Sequence, residues 1–302
     1  MSPETVSFSL YLLAIIGLVL SLVQLGAALD LPPNLREFYD GVRAKRQCTN
    51  QLAKGFYSNE SGPNTFSYCG SHLHSSGILY IQGRNGALAN MDVDCDGLLG
   101  GPADDGRCRL ALSPDYQNTT AFQSILASYN RGITDLNPYV HSYVVFGNTP
   151  GIGTEAWSSY DPTTHGMRPL SLMAVVCPDY RLVYGVWGDT NGNDGQRPMV
   201  GEASLSLATY CSGSPINGNS GIDEDAVLYI GFTGEEAVPG PDGADWAATS
   251  PDAFQRSLST LGDRLVQRVQ YQNGASSEAR PHRTADAARL VVVVFIVVTI
   301  LL

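Results

Sequence analysis

Strand-forming residues pass directly into a polar, glycine-rich loop at Leu182-Val183-Tyr184-Gly185-Val186-Trp187-Gly188-Asp189-Thr190-Asn191-Gly192. The β-branched and aromatic residues over 182–187 predict a buried strand. The turn signal Pro178-Asp179 separates it from another predicted strand over 172–176. The glycine-rich loop predicts that the chain reverses direction there. The strand therefore delivers Asp189 to the point where the chain turns.

A second acidic residue follows this loop, in Met199-Val200-Gly201-Glu202-Ala203-Ser204. Alternation over 199–207 predicts a strand, and the second half of that range also fits the start of a helix. Because Asp189 and Glu202 flank one loop, the two carboxylates can face the same cleft.

Other apolar patterns predict one compact domain that is mainly β with flanking helices (α+β). Helical spacing predicts helices over 35–42, capped by Asn34, and over 119–129. The clearest helix has Ser250 as its cap and a predicted end near Tyr271. Short strands are predicted over 78–81, 87–93, 139–146 and 227–232.

The beginning of the chain predicts a secretory signal peptide. An apolar run over 10–20 is followed by the small residues Gly26-Ala27-Ala28. A hydrophobic region of this length with a small-residue cleavage site predicts a signal peptide over 1–28, cut after Ala28. The alternative is an uncleaved membrane anchor, which needs roughly 20 apolar residues.

The end of the chain predicts a lipid-anchor signal. Small residues begin at Asn273, a polar spacer with three arginines follows, and residues 290–302 are apolar except for one threonine. This order is typical of the signal for glycosylphosphatidylinositol (GPI) attachment, and it predicts removal of 274–302. A short tail anchor is the alternative. The predicted domain then spans 29–273.

The six cysteines and two glycosylation triplets fit an extracellular protein. An even count in a secreted chain predicts disulfides, for which fifteen pairings are possible. Sequential pairing closes the shortest loops and predicts 48–69, 95–108 and 177–211. Metal binding is the weaker alternative, since no Cys-x2-Cys spacing occurs. The cysteines are Cys48, Cys69, Cys95, Cys108, Cys177 and Cys211, and the acceptors for N-glycans are Asn59 and Asn118.

Composition and motif content argue against several classes of protein. The formal charge of −11 argues against nucleic-acid binding, because phosphate contacts need clustered Lys and Arg. A hydrophobic content of 43% is that of an ordinary globular chain and argues against disorder. The sequence contains no His-Glu-x-x-His, no Gly-x-Ser-x-Gly and no phosphate loop with its lysine.

The residues Asp189 and Glu202 fit the chemistry of glycosidic bond hydrolysis. One protonated acid donates to the leaving oxygen, and one ionised carboxylate acts on the anomeric carbon or on a water. A separation of roughly 6.5–9.5 Å leaves room for that water and inverts the anomeric centre. Trp187 can offer an apolar ring face to a sugar, and plain core packing is the favoured alternative for this residue. In the simpler interpretation, Asp189 only makes the turn and Glu202 is a surface charge.

A second acidic motif, Asp92-Val93-Asp94-Cys95-Asp96-Gly97, has the pattern that begins a calcium loop. Its twelfth position is Ala103 rather than Glu, and no helix pair is predicted to flank it. The alternative is an acidic wall of a cleft, joined by Asp104 and Asp105. Such a wall would suit a cationic partner.

Several long motifs of this chain occur together. They include Gly62-Pro63-Asn64-Thr65-Phe66-Ser67-Tyr68-Cys69, Asn90-Met91-Asp92-Val93-Asp94-Cys95-Asp96-Gly97 and Gly101-Pro102-Ala103-Asp104-Asp105-Gly106-Arg107-Cys108, and they continue through 138–141, 144–148, 183–192 and 199–204. Together these motifs resemble the fungal chitosanases of glycoside hydrolase family 75. The resemblance covers roughly residues 38–269.

The resemblance implies a chitosanase catalytic domain that cleaves chitosan, a β-1,4-linked polymer of glucosamine, in the chain interior and with inversion. It implies that the catalytic carboxylates are Asp189, in Gly-Asp-Thr-Asn-Gly, and Glu202, in Val-Gly-Glu-Ala-Ser. We expect Glu202 to be the acid and Asp189 the base, with the reverse assignment open. The loop over 189–192 also resembles those of double-psi β-barrels. The expected substrate-binding residues are Trp187, Asp92, Asp94, Asp96, Asp104 and Asp105.

The resemblance also sets the expected partners. The substrate is chitosan or partially deacetylated chitin, without a metal or cofactor, and the only expected membrane contact is through the lipid anchor. That anchor departs from the plain secreted form of the family and favours work at the cell surface. Two alternatives are a non-catalytic cell-surface protein that binds cationic polysaccharide and a calcium-dependent adhesion module.

Overall fold

The computed structural model describes residues 29–111, 116–150, 157–192, 197–212 and 216–271. These ranges contain ten strands and five α-helices. The strands are β1 (Leu29–Asp30), β2 (Gln51–Phe56), β3 (Phe66–Cys69), β4 (Ile78–Gln82), β5 (Ala89–Asp94), β6 (Tyr143–Asn148), β7 (Leu172–Val176), β8 (Arg181–Asn191), β9 (Glu202–Ser204) and β10 (Ile222–Phe232). The helices are α1 (Pro33–Ala44), α2 (Leu73–Ser76), α3 (Gln123–Ser128), α4 (Leu205–Ser212) and α5 (Pro251–Val266).

The predictions for the two ends of the chain lie outside the described residues. The signal peptide over 1–28 and the lipid-anchor signal over 274–302 therefore stay predictions. Within the described ranges, no helix is long and apolar enough to cross a membrane.

Six strands pair in a closed ring, in the order β8, β6, β9, β5, β10, β7 and back to β8. The pairs β5–β9 and β6–β8 are parallel, and the other four are antiparallel. Strands β4, β3 and β2 extend the sheet beyond β10. A closed ring is the pairing pattern of a small barrel. The prediction of a compact, mainly β domain with flanking helices is confirmed, and the double-psi topology stays a prediction.

Apolar side chains cover both faces of this sheet. Leu172, Ala174 and Val176 of β7 pack in one cluster together with the buried sides of α1 and α5. The alternate residues Met173 and Val175 pack in a second cluster on the opposite face. A strand that is buried on both faces has a continuous apolar sequence, which explains why β7 shows no alternation.

The two long helices meet where α5 ends. Ser250 caps α5 as predicted, but the helix ends at Val266 rather than near Tyr271. The reason is that Asn34, predicted as the cap of α1, instead donates its amide to the carbonyl of Val266 at 2.7 Å. The N–H of Gln270, which would continue the helix, donates to a serine hydroxyl on α2.

Other boundaries differ from the predictions because side chains and turns satisfy the backbone. Helix α3 spans Gln123–Ser128 and is shorter than the predicted 119–129. Strand β6 begins at Tyr143 rather than at 139, because residues 140 and 141 turn back onto the Asn137 carbonyl. Strands β2 and β3 were not predicted.

The three predicted disulfides are present. They join Cys48 to Cys69, Cys95 to Cys108 and Cys177 to Cys211, so the sequential pairing is confirmed. The second of these lies in the acidic motif, because Cys95 stands between Asp94 and Asp96.

Candidate functional site

One residue of β6 sets the positions of the two predicted catalytic carboxylates. Val145 pairs with Asp189 of β8 on one side and with Glu202 of β9 on the other. Paired residues on neighbouring strands project from the same face of a sheet. Neighbouring strands lie about 4.8 Å apart, so the two backbones are separated by roughly 9–10 Å. Asp189 and Glu202 therefore share a face, with a single strand between them.

A β-bulge at Gly188 places Asp189 on that face. Val144 pairs with Trp187, whereas Val145 pairs with Asp189, so Gly188 is an extra residue in β8. A bulge of this kind turns the next side chain to the other face of the sheet. A Cβ atom on Gly188 would lie 2.5 Å from atoms of both Leu136 and Tyr143, so only glycine fits.

Asp189 is 7% exposed and is held by two backbone N–H groups. Its Oδ1 accepts hydrogen bonds from Thr190 at 2.7 Å and from Ala121 at 3.0 Å. Burial, with smaller contributions from the charges of Asp96 and Asp135, raises the pKa of Asp189 to about 7, although the two N–H donors lower it. The carboxyl can therefore gain or lose a proton near neutral pH.

Two further carboxylates surround Asp189. The carboxylates of Asp94, Asp96 and Asp189 each have an oxygen within 4.8 Å of the others. Burial, and then the charges of Glu202 and Asp189, raise the pKa of Asp94 well above its ordinary value. Because ionised carboxylates this close in a buried place repel one another, the cluster favours a bound proton or a bound cation.

Asp92 lies on β5 two residues before Asp94 and extends the three carboxylates into an acidic row. It pairs with Glu202 across β5 and β9 and accepts a hydrogen bond from the Asn90 amide at 3.1 Å. Burial, and more weakly the charges of Glu60 and Asp223, raise the pKa of Asp92 to about 6. The structure thus brings together Asp92, Asp94, Asp96, Asp189 and Glu202.

Two predicted substrate-binding residues have arginine partners of their own. Asp104 forms an ion pair with Arg109 at 3.0 Å, and Asp105 forms one with Arg107 at 2.7 Å. Both pairs lie within one loop and its short helical turn. A carboxylate already neutralised by arginine attracts a protonated amine less strongly, so these pairs argue against the predicted binding role.

Trp187, a predicted substrate-binding residue, is packed in the core, as the alternative interpretation of this residue predicts. It is 2% exposed, packs edge-on against Phe122 at 4.8 Å and donates its indole N–H to the backbone carbonyl of Asp189 at 2.9 Å. Its burial argues against a sugar stacking on the ring. The observed contacts are those of a residue that supports the backbone beneath Asp189.

Two residues beside the cluster were not predicted from the sequence. Asp135 is fully buried and lies in a loop that carries no recognisable motif. Tyr143 is fully buried and donates its hydroxyl to the carbonyl of Asp96 at 2.8 Å. A buried acid among apolar neighbours in Ile133-Thr134-Asp135-Leu136 is the one signal that pointed to the first of them.

This arrangement can exchange protons and attract positive charge. Carboxylate oxygens at such spacing can surround a cation or accept hydrogen bonds from a protonated amine. The calcium-loop interpretation requires a loop between helices, but Asp92 and Asp94 belong to strand β5.

Comparisons with known proteins agree with the motifs. The family model described as fungal chitosanase of glycosyl hydrolase group 75 matches residues 91–268. An endo-chitosanase of Aspergillus fumigatus is 41% identical over 251 residues, which is 82% of this chain and 95% of the relative. An endo-chitosanase of Aspergillus oryzae is 42% identical over 255 residues, 83% of this chain and 96% of the relative. Endo-chitosanase B of Aspergillus oryzae is 39% identical over 251 residues, with shares of 82% and 95%. The chain belongs to the fungal chitosanases of glycosyl hydrolase group 75 and is a glycoside hydrolase.

Proposed function

We propose that this protein hydrolyses β-1,4 glucosamine linkages in the interior of chitosan chains with inversion, using Asp189 and Glu202. Relatives that cover nearly the same length are named endo-chitosanases, which supports the substrate and the endo mode. The observation that carries the proposal is the shared partner Val145, since it sets the two carboxylates on one face with one strand between them.

The spacing of the two strands supports inversion. Two strand spacings separate the backbones by roughly 9–10 Å, and the side chains extend from that distance. Inverting enzymes hold their carboxyl groups about 6.5–9.5 Å apart, whereas retaining enzymes hold them only about 5–5.5 Å apart. The wider spacing leaves room for a water between the base and the anomeric carbon.

We assign the general base to Asp189 and the general acid to Glu202. The two N–H donors on Oδ1 of Asp189 stabilise its ionised form and leave Oδ2 to take a proton from water. Burial acts in the opposite direction, because it raises the pKa of Asp189 to about 7. Bound ammonium groups of the substrate add positive charge and favour the ionised carboxylate again.

Azide distinguishes the two assignments. In an inverting enzyme without its general base, azide can replace the attacking water. With Asp189→Ala, added azide should restore turnover and produce a glycosyl azide. Rescue of Glu202→Ala instead, with none for Asp189→Ala, would exchange the two roles.

The acidic row supports recognition of a cationic sugar chain. Protonated glucosamine carries an ammonium group, and Asp92, Asp94 and Asp96 extend the negative charge beyond the proposed catalytic pair. An acidic cleft attracts cations and orients them through charge-assisted hydrogen bonds.

The decisive test compares isosteric variants with matched surface controls. Asp189→Asn and Glu202→Gln should each fold and lose more than about 99% of the reducing ends released from chitosan, since the removal of a catalytic acid or base costs about 10²–10⁴-fold. Asp40→Asn and Glu37→Gln on the exposed side of α1 should keep full activity. Near-normal activity of either site variant would refute the proposal. Saturable chitosan binding without any hydrolysis by the unmodified protein would favour the non-catalytic alternative.

We further propose that the protein is secreted and held at the cell surface by a lipid anchor. Three disulfides suit an oxidising compartment. Asn118 is exposed and Asn59 is partly buried, so glycosylation is expected more readily at the first. A phosphatidylinositol-specific phospholipase should release active enzyme from cells. Enzyme that stays bound after this treatment would contradict the anchor.

A further inference from the structure

A buried carboxylate outside the proposed catalytic pair holds the segment that contacts Asp189. Asp135 has no exposed surface and accepts three hydrogen bonds. They come from the N–H of Thr120 at 2.9 Å, the hydroxyl of Thr120 at 2.5 Å and the N–H of Leu136 at 2.8 Å. Two of these bonds fix both polar groups of Thr120, the residue directly before Ala121.

The next residue makes the contact with the site. The N–H of Ala121 donates to Oδ1 of Asp189 at 3.0 Å, across 68 positions of sequence. Helix α3 begins only at Gln123, so intrahelical bonds do not hold Ala121 in place. The direction of its N–H depends instead on how Thr120 is fixed. A carboxylate held at one oxygen presents the other in a defined direction.

We propose that Asp135 and Thr120 are positioning residues for the reaction: they fix the Ala121 N–H and thereby aim Oδ2 of Asp189 at the reacting water. This inference rests on the proposed function of Asp189. Neither residue is required to touch the substrate. A positioning role, unlike a purely structural one, changes the turnover number and the titration of Asp189.

The chain offers a control in which an aspartate also accepts from both the N–H and the hydroxyl of one threonine. Asp161 accepts hydrogen bonds from the N–H of Thr163 at 2.9 Å and from its hydroxyl at 2.7 Å. That pair lies on an exposed turn over 162–165, whereas Thr120 is 5% exposed. The substitution Thr163→Val therefore removes an equivalent hydroxyl away from the site.

The experiment measures kcat, KM, the pH dependence of kcat/KM and Tm for Thr120→Val, Thr120→Ser and Thr163→Val, with soluble glucosamine oligomers as substrate. Thr120→Val should lower kcat about tenfold or more and leave KM within about twofold. The acid limb of its kcat/KM profile should move to higher pH, because a weaker hydrogen bond from the Ala121 N–H raises the pKa of Asp189. Thr120→Val removes the hydroxyl bond to Asp135 but replaces none of the other titratable groups around Asp189, which are Asp94, Asp96, Asp135, Tyr143 and Glu202. Thr120→Ser and Thr163→Val should match the unmodified enzyme in kcat and pH profile.

Different results would overturn the positioning role of Thr120 and the proposed catalytic role of Asp189. A Thr120→Val enzyme with lowered Tm but unchanged kcat and pH profile, together with an inactive Asp189→Asn enzyme, would overturn the positioning role alone. An active Asp189→Asn enzyme would overturn the proposed function and this inference with it. Asp135→Asn is a stronger perturbation, and Thr120→Val keeps the test informative even where the asparagine variant fails to fold.

Discussion

Two acidic regions of this molecule are similar in sequence but differ in structure. In the first, carboxylate oxygens of Asp94, Asp96 and Asp189 lie within 4.8 Å of one another, and burial raises the pKa of Asp94 and of Asp189. In the second, Asp104 and Asp105 each form an ion pair with an arginine of their own loop. Both regions carry motifs of the same family, yet arginines pair with the acids of the second region, whereas carboxylates lie beside one another in the first.

The difference shows that partners and burial, rather than the number of acids, decide what an acidic motif can do. The arginine at Asp104 holds the pKa of that carboxyl below its ordinary value, although the carboxyl is partly desolvated. In the buried cluster, the neighbouring groups that act on Asp94 are mostly other carboxylates, which favour a bound proton or a bound cation. The following changes test this contrast.

The largest effect is expected from filling the bulge. Gly188→Ala would place a Cβ atom 2.5 Å from atoms of Leu136 and Tyr143, so β8 must shift at Asp189. We expect loss of at least about 99% of activity and a loss of roughly 1–3 kcal/mol in the free energy of unfolding. Gly192→Ala is the control, since its Cβ would meet no atom within 4 Å. Activity and chemical denaturation measure both effects, and an active Gly188→Ala enzyme would refute the role of the bulge.

A smaller effect is expected from replacing one acid in each of the two acidic regions. Asp96→Asn removes a charge that raises the pKa of Asp189, and so lowers that pKa. The acid limb of kcat/KM should move to lower pH, and kcat/KM at its optimum should fall about tenfold. Asp104→Asn should leave the limb in place and change kcat/KM by less than about twofold. Equal effects of the two substitutions would show that the two acidic regions do not differ in their effect on catalysis.

The smallest effect concerns Asp92 at the edge of the buried cluster. Burial raises the pKa of Asp92 to about 6, so this carboxyl loses its charge as the pH falls through that value. KM of the unmodified enzyme relative to that of Asp92→Asn should therefore be lowest at pH 7, and the ratio should approach one by pH 5. The substrate amines titrate in the same range, so the variants are compared at each pH. Asp105→Asn should follow the unmodified enzyme, and a ratio that does not change with pH would exclude a binding role for Asp92.

The local patterns of the chain predicted much of the fold. The apolar run over 182–187 and the polar loop behind it located β8 and its acidic end. The range 199–207 was predicted as a strand whose second half also fits the start of a helix. Both are confirmed, since β9 passes directly into α4 at Leu205. Sequential disulfides followed from loop length. These features depend on residues that are neighbours in sequence, and that is why periodicity and spacing find them.

The features that were missed depend on pairings between distant residues. The bulge at Gly188 arises from the pairing of β8 with β6, some forty positions earlier in the chain, because the register of this pair shifts by one residue at Gly188. The same pairing decides that Trp187 points to the interior and Asp189 to the site. Asp135 acts through Thr120 and Ala121, which no local motif connects with Asp189. Such contacts follow from the closed ring of strands rather than from any segment alone.

Proton NMR of the first reducing ends released from soluble β-1,4 glucosamine oligomers distinguishes inversion from retention. A base and an acid that stand on either side of Val145, with a water between base and sugar, should produce the α-anomer first, and the β-anomer should appear only later by mutarotation. Initial release of the β-anomer would mean two successive displacements. It would contradict the geometry assigned to Asp189 and Glu202.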